Sequence, residues 1–131
     1  MSAAGQLLIG KRAVITGAAT ESGIGFAAAR LFAEHGATVA LLDIDGKAVA
    51  ERARTLGPGH HALACDVASR QACEKAVGDA AKMLGGLDVL VNVAGLVHGT
   101  PLMDISEAEY DAVLDVNLNQ RRSPTRSPPA A

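Results

Sequence analysis

Residues 16 to 25 read Thr16-Gly17-Ala18-Ala19-Thr20-Glu21-Ser22-Gly23-Ile24-Gly25, following a short apolar run and opening a helical pattern. Glycines placed there let backbone N–H groups approach a pyrophosphate, while the helix N-terminus adds partial positive charge. Gly25 has no side chain at the point where the helix must come close to the strand. A plain strand-to-helix turn would also use glycine, but this position after a first strand and before an apolar helix favours phosphate binding. Asp43 stands 18 residues beyond Gly25, near the ~20 expected of an acid that accepts hydrogen bonds from an adenosine ribose. Such a carboxylate would repel a 2′-phosphate, so the implied cofactor is NAD rather than NADP. The alternative for Asp43 is a surface turn shared with Asp45.

Those residues need elements to position them. Lys11 to Thr16 is a buried strand ending in Thr-Gly. Gly23 to His35 is a helix with Ile24, Ala27, Ala28, Leu31 and Phe32 on one apolar stripe, stopped by Gly36. Thr38 to Leu42 forms a second strand closed by Asp43, and Gly46 to Leu56 a helix with Lys47, Glu51 and Arg54 toward solvent. His61 to Cys65 is a weaker third strand. Ser69 caps a helix running to about Leu84 before Gly85-Gly86. Leu87 to Val91 is the most continuous apolar strand, broken only by Asp88. Ser106 and Glu109 form a capping box for a last helix reaching about Leu118. Apolar strands alternating with helices predict an α/β fold, an open doubly wound parallel sheet buried on both faces. Such sheets bind ligands at the carboxyl ends of their strands.

Three further landmarks follow the glycine segment and Asp43: Asp66-Val67 after the third strand, Asn92-Val93-Ala94-Gly95 after the fourth, and Asp115-Val116-Asn117-Leu118 on the last helix. Together these residues resemble the short-chain dehydrogenases/reductases across residues 11 to 118. The family's Thr-Gly-x-x-x-Gly-x-Gly motif is met by Thr16, Gly17, Gly23 and Gly25 with a spacer two residues longer, and Val93 replaces the second Asn of Asn-Asn-Ala-Gly. The resemblance implies a Rossmann-like doubly wound parallel sheet, truncated after about four strands. It implies that Gly17, Ser22, Gly23, Ile24, Gly25, Asp43, Asp66, Val67, Asn92, Ala94 and Gly95 carry the adenosine and pyrophosphate of NAD. Asp66 and Val67 would hold the adenine, and the Ser22 hydroxyl would reach the pyrophosphate. Asn117 would help organise a proton relay. The longer spacer places Glu21 near the anion site.

The activity so implied is hydride transfer between nicotinamide and an alcohol or ketone. The family's chemistry depends on a Ser after a fifth strand and on a Tyr-x-x-x-Lys pair, whose cation makes a tyrosine near ~10 usable as a base. The only tyrosine is Tyr110, with Leu114 four residues on. Tyr110 reads as a packing residue and His98 as a solvated loop histidine. The expectation is a partial NAD-binding domain over 1–119, inactive alone, with a small-molecule substrate only in a full-length relative. The alternative is a non-catalytic dinucleotide-binding or subunit-interaction module, with oligomeric state left open.

Composition bounds the rest. The 131 residues are 49% hydrophobic but only 2% aromatic, so the core must be built from Ala, Val, Leu and Ile. A net charge of −2 and the scarcity of aromatics argue against nucleic acid as a partner. No apolar stretch approaches the ~18 to 20 residues that span a bilayer, and residues 1 to 10 lack the basic start of a secretory signal. Cys65 and Cys73 read as buried thiols in a reducing cytosol, hence a cytoplasmic protein. His60 and His61 have no metal ligand at suitable spacing, so no metal is expected. From Gln120 the tail holds three Arg, three Pro and no acid, leaving nine bases against 14 acids, a net of −5, upstream. Residues 120–131 are expected to be a disordered Arg/Pro-rich tail of out-of-family sequence, as a frameshift or misjoined reading frame would produce.

Overall fold

The computed structural model describes residues 5–119, so the tail expected over 120–131 lies outside the described residues. Four parallel strands, β1 (Arg12–Thr16), β2 (Thr38–Asp43), β3 (His61–Ala64) and β4 (Val89–Val91), stand in the order β3-β2-β1-β4. The helices are α1 (Ile24–Glu34), α2 (Gly46–Thr55), α3 (Arg70–Leu84) and α4 (Glu107–Asn117). The chain builds outward from β1 to β3, then returns to the opposite side of β1 for β4. Strand order therefore reverses beside β1, where Ala13 pairs with both Val39 and Val89. Crevices in open α/β sheets form at such a reversal.

Successive β1 residues feed two cores, as a strand buried on both faces must. Ala13 and Ile15 pack with Phe26 and Ala29 of α1 and Val49 and Ala53 of α2. Val14 packs on the other face with Cys73, Ala76 and Ala80 of α3. The small alanines let these helices lie close to the sheet, in keeping with the low aromatic content. β3 and β4 depart from the expectation of full burial: they flank the described sheet and are half-buried along most of their length.

Two expectations are corrected. The inward face of α1 is Gly25, Phe26 and Ala29, while Ile24 and Leu31 of the expected stripe are exposed. Only a residue without a side chain can rest on the Gly17 carbonyl, so Gly25 sets the rotation of the helix and outranks apolar spacing. β4 begins at Val89 rather than Leu87 because the Asp88 carboxylate takes the Arg12 N–H (2.9 Å) and Nε (2.8 Å). That pair holds the Asp88 carboxyl at about 2, chiefly through the hydrogen bond from the Arg12 side chain.

The helix caps follow the sequence. Ser69 accepts from the Ala72 N–H at 3.2 Å, and Ser106 and Glu109 form the capping box. Asp45 caps α2 through the Ala48 N–H at 3.0 Å. α1 differs, since its N-cap Gly23 offers no side-chain acceptor to the first N–H groups.

Candidate functional site

β1 leaves the sheet through Thr16, the buried polar residue of the core among the described residues. Its Oγ1 accepts the N–H groups of Val93 (3.1 Å) and Ala94 (3.2 Å), joining the loop after β1 to the loop after β4. The next residue, Gly17, has φ +70°, and a Cβ there would stand 2.6 Å from the Ala94 nitrogen. Two backbones thus pass in contact where no side chain fits. Gly17 N–H also donates to the Leu42 carbonyl at 2.8 Å, which anchors the glycine segment to β2.

Asp43 closes β2 and faces this segment. Its Oδ2 accepts the Ala19 N–H at 3.0 Å and its Oδ1 the Asp45 N–H at 3.1 Å. Each carboxylate oxygen has two acceptor sites, so one on each remains for a further donor. Asp66 follows β3, exposed, with Oδ1 accepting the Ala68 N–H at 3.0 Å. Val67 beside it packs into the core.

The four strand ends enclose a cleft of about 510 Å³, lined by Gly17, Thr20, Asp43, Ile44, Cys65, Asp66, Val67, the Val93-to-Leu96 loop and Val116 of α4. Six of the expected site residues, Gly17, Asp43, Asp66, Val67, Ala94 and Gly95, therefore meet in one place. Ser22, Gly23, Ile24 and Gly25 do not line this cleft; they form the entry to α1 beside it, with Ser22 and Ile24 exposed. Asn92 does not line the cleft either, and its Oδ1 is buried without a hydrogen bond.

Asn117 also stands off the cleft. Its Oδ1 accepts the Leu96 N–H and its Nδ2 donates to the Leu96 carbonyl, both at 2.7 Å, which fastens the loop after β4 to α4. A second, apolar groove of about 320 Å³ runs from Leu96 along α4 past Tyr110 to Asn117. Tyr110, expected to pack, is 59% exposed there, because α4 buries none of its residues. His98 is exposed, as a loop histidine should be. Thr100 donates to Glu109 at 2.7 Å and, with Ser106, holds that carboxyl below the usual range.

Thr16 was named in the glycine motif without a role of its own, and three further groups were passed over. Thr16 was legible as a lone hydroxyl ending an apolar strand. Cys65, Ile44 and Leu96 carried no signal, since nothing in their types says that they edge a cleft. Cys65 and Cys73 are free, buried thiols, and burial pushes Cys65 up to about 12. Among the described residues no group of three or more His, Cys, Asp or Glu could hold a metal ion. No helix among them is long and apolar enough to cross a membrane.

Residues 17–122 match the profile of a family described as enoyl-(acyl carrier protein) reductase. An uncharacterized short-chain type dehydrogenase/reductase of Sinorhizobium fredii is 42% identical over 116 residues, covering 86% of this chain and 46% of that protein. D-threitol dehydrogenase of Mycolicibacterium smegmatis is 37% identical over 115 residues, 86% of this chain and 44% of that one. The crystal structure of a short chain dehydrogenase from Mycobacterium smegmatis superposes with a TM-score of 0.87 at 38% identity, over 92% of this chain and 52% of its own. A 3-ketoacyl-(acyl-carrier-protein) reductase from Brucella melitensis, complexed with NADH, gives 0.86 at 34% identity, over 91% and 48%. The chain spans less than half the length of these two curated relatives.

Proposed function

Because the chain belongs to the short-chain dehydrogenase/reductase family, we infer that its cleft holds a nicotinamide dinucleotide, NAD in preference to NADP. The carrying observation is the cleft at the strand ends, where Gly17 backbone and the Asp43 carboxylate share the wall with Asp66, Val67 and the loop after β4. The residues fit such a group. Gly17 lines the cleft with bare backbone, and α1 opens beside it with no side chain competing for its N–H groups. Asp43 would accept from the ribose hydroxyls and repel a 2′-phosphate. Asp66 and Val67 would bound the adenine, and Ser22, Gly23, Ile24 and Gly25 would border the pyrophosphate. Asn92, Ala94 and Gly95 would carry the far wall. When bound, the nicotinamide supplies or accepts hydride in the chemistry of the family.

The chain's own residues support binding rather than turnover. Tyr110 has no lysine four residues on, and Asn117 serves here as a clamp on Leu96. Asn117 is thus a positioning residue, and turnover with an alcohol or ketone would need groups that these residues do not include. The same reading places the protein in the cytoplasm, where its two thiols stay reduced.

Isothermal titration of the purified chain tests this. NADH should bind saturably and more tightly than NADPH, with no oxidation of added alcohols. Asp43→Asn should weaken NADH by about tenfold, because hydrogen bonds to a charged acceptor are the stronger kind, and should narrow the gap to NADPH. Equal binding of the two cofactors by the unsubstituted chain would reject the Asp43 assignment.

A further inference from the structure

We propose that Arg52 masks the charge of Glu21 so that the lengthened glycine segment accepts a phosphate-bearing ligand, a role resting on the dinucleotide reading above. The spacer between Gly17 and Gly23 carries an acid, Glu21, in the segment that must face an anion. Glu21 stands two positions before Gly23, so their Cα atoms lie within about 7 Å. That is inside the ~8–10 Å over which charges interact at ordinary salt, and a bare carboxylate there opposes a pyrophosphate.

Arg52 of α2 meets it, with Nη1 3.4 Å from Glu21 Oε2. The guanidinium is held from below, 5.7 Å from the ring centroid of Phe26, itself only 5% exposed. Arg30 approaches the same ring at 5.9 Å, and Glu51 lies farther from Arg52, at 3.9 Å. Arg52 is therefore fixed by α1 packing rather than by the loop: its side chain is 19% exposed against 82% for Glu21. Its Nε is buried without a hydrogen bond, a costly way to place a cation. An ion pair this exposed on one side returns little stability. Cancelling a charge beside the anion site accounts for the arrangement where stability does not.

The test is a charge cycle on the full chain, with NADH as the probe and calorimetry as the readout. Two phosphate charges near ~8 Å from an unmasked carboxylate in water amount to about fivefold in affinity. Arg52→Met should weaken NADH by about that factor and Glu21→Gln should tighten it similarly. The double variant should return to the starting affinity, and Arg52→Lys should stay near it. In about 1 M salt, where screening shortens to ~3 Å, the differences should vanish, and adenosine should bind all variants alike. Weakening in every variant that survives high salt, or that adenosine shares, would show that the pair holds shape instead. Unchanged NADH affinity in Arg52→Met would reject masking and leave the dinucleotide site standing. No saturable NADH binding by the unsubstituted chain would overturn both.

Discussion

Gly25→Ala and Gly78→Ala are the same substitution inside two helices, and the structure gives them opposite signs. A Cβ at Gly25 runs into the Gly17 carbonyl, with the carbonyl carbon at 2.8 Å where ordinary contact begins at 3.4 Å. α1 must retreat by about 0.6 Å at that carbon alone. A gap of ~0.5–1 Å forfeits a quarter to a half of each dispersion contact across it, here those of Phe26 and Ala29 with the sheet. Overpacking of this kind costs about 1–3 kcal/mol, and replacing a helical glycine returns about 1 kcal/mol at most. The net is a loss of up to about 2 kcal/mol, or as much as roughly 8 °C in Tm for a domain of this size. At Gly78, in the exposed middle of α3, a Cβ meets nothing within 4 Å. Only the propensity remains, and stability should rise by about 0.5–1 kcal/mol. Thermal melts followed by circular dichroism at matched concentration check both. Gly25→Ala melting at or above the unsubstituted chain would refute the close-approach argument, whatever Gly78→Ala does.

Other consequences follow from single contacts. Thr16→Val keeps the shape but removes the acceptor for the Val93 N–H; it should cost about 1–3 kcal/mol and speed hydrogen exchange at Val93, as NMR would register. Asp88 is held at about 2 against ~3.9 when unfolded, so its stabilisation is complete above about pH 4 and drains away as pH falls through 2. Urea midpoints taken between pH 5 and pH 2 should therefore fall less steeply in Asp88→Asn than in the unsubstituted chain. With Cys65 pushed up to about 12 and Cys73 also raised by burial, a disulfide reagent at pH 8 should label neither thiol until urea unfolds the chain. Rapid native labelling would contradict their burial.

Much of this molecule is local, and local structure is legible in residue types. Ser69 and the Ser106–Glu109 box start their helices where the capping side chains stand. The apolar runs of β1 and β2 are buried on both faces because each strand has a helix layer on either side. The glycine segment, Asp43, Asp66 and the Asn92-to-Gly95 turn each mark a strand end, and strand ends are where open parallel sheets converge.

What residue types left open is how the surfaces meet. Ile24 and Leu31 have apolar spacing yet face outward, because Gly25 on the Gly17 carbonyl decides the rotation of α1. Asn117 is named by its motif, but only the fold shows both its amide atoms spent on Leu96. Glu21 and Arg52 lie 31 positions apart, and no pattern in the chain pairs them. Spacing and capping depend on a few neighbouring residues and can be read from the sequence. Contact between surfaces distant in sequence depends on the whole chain closing on itself, so only the tertiary structure decides it.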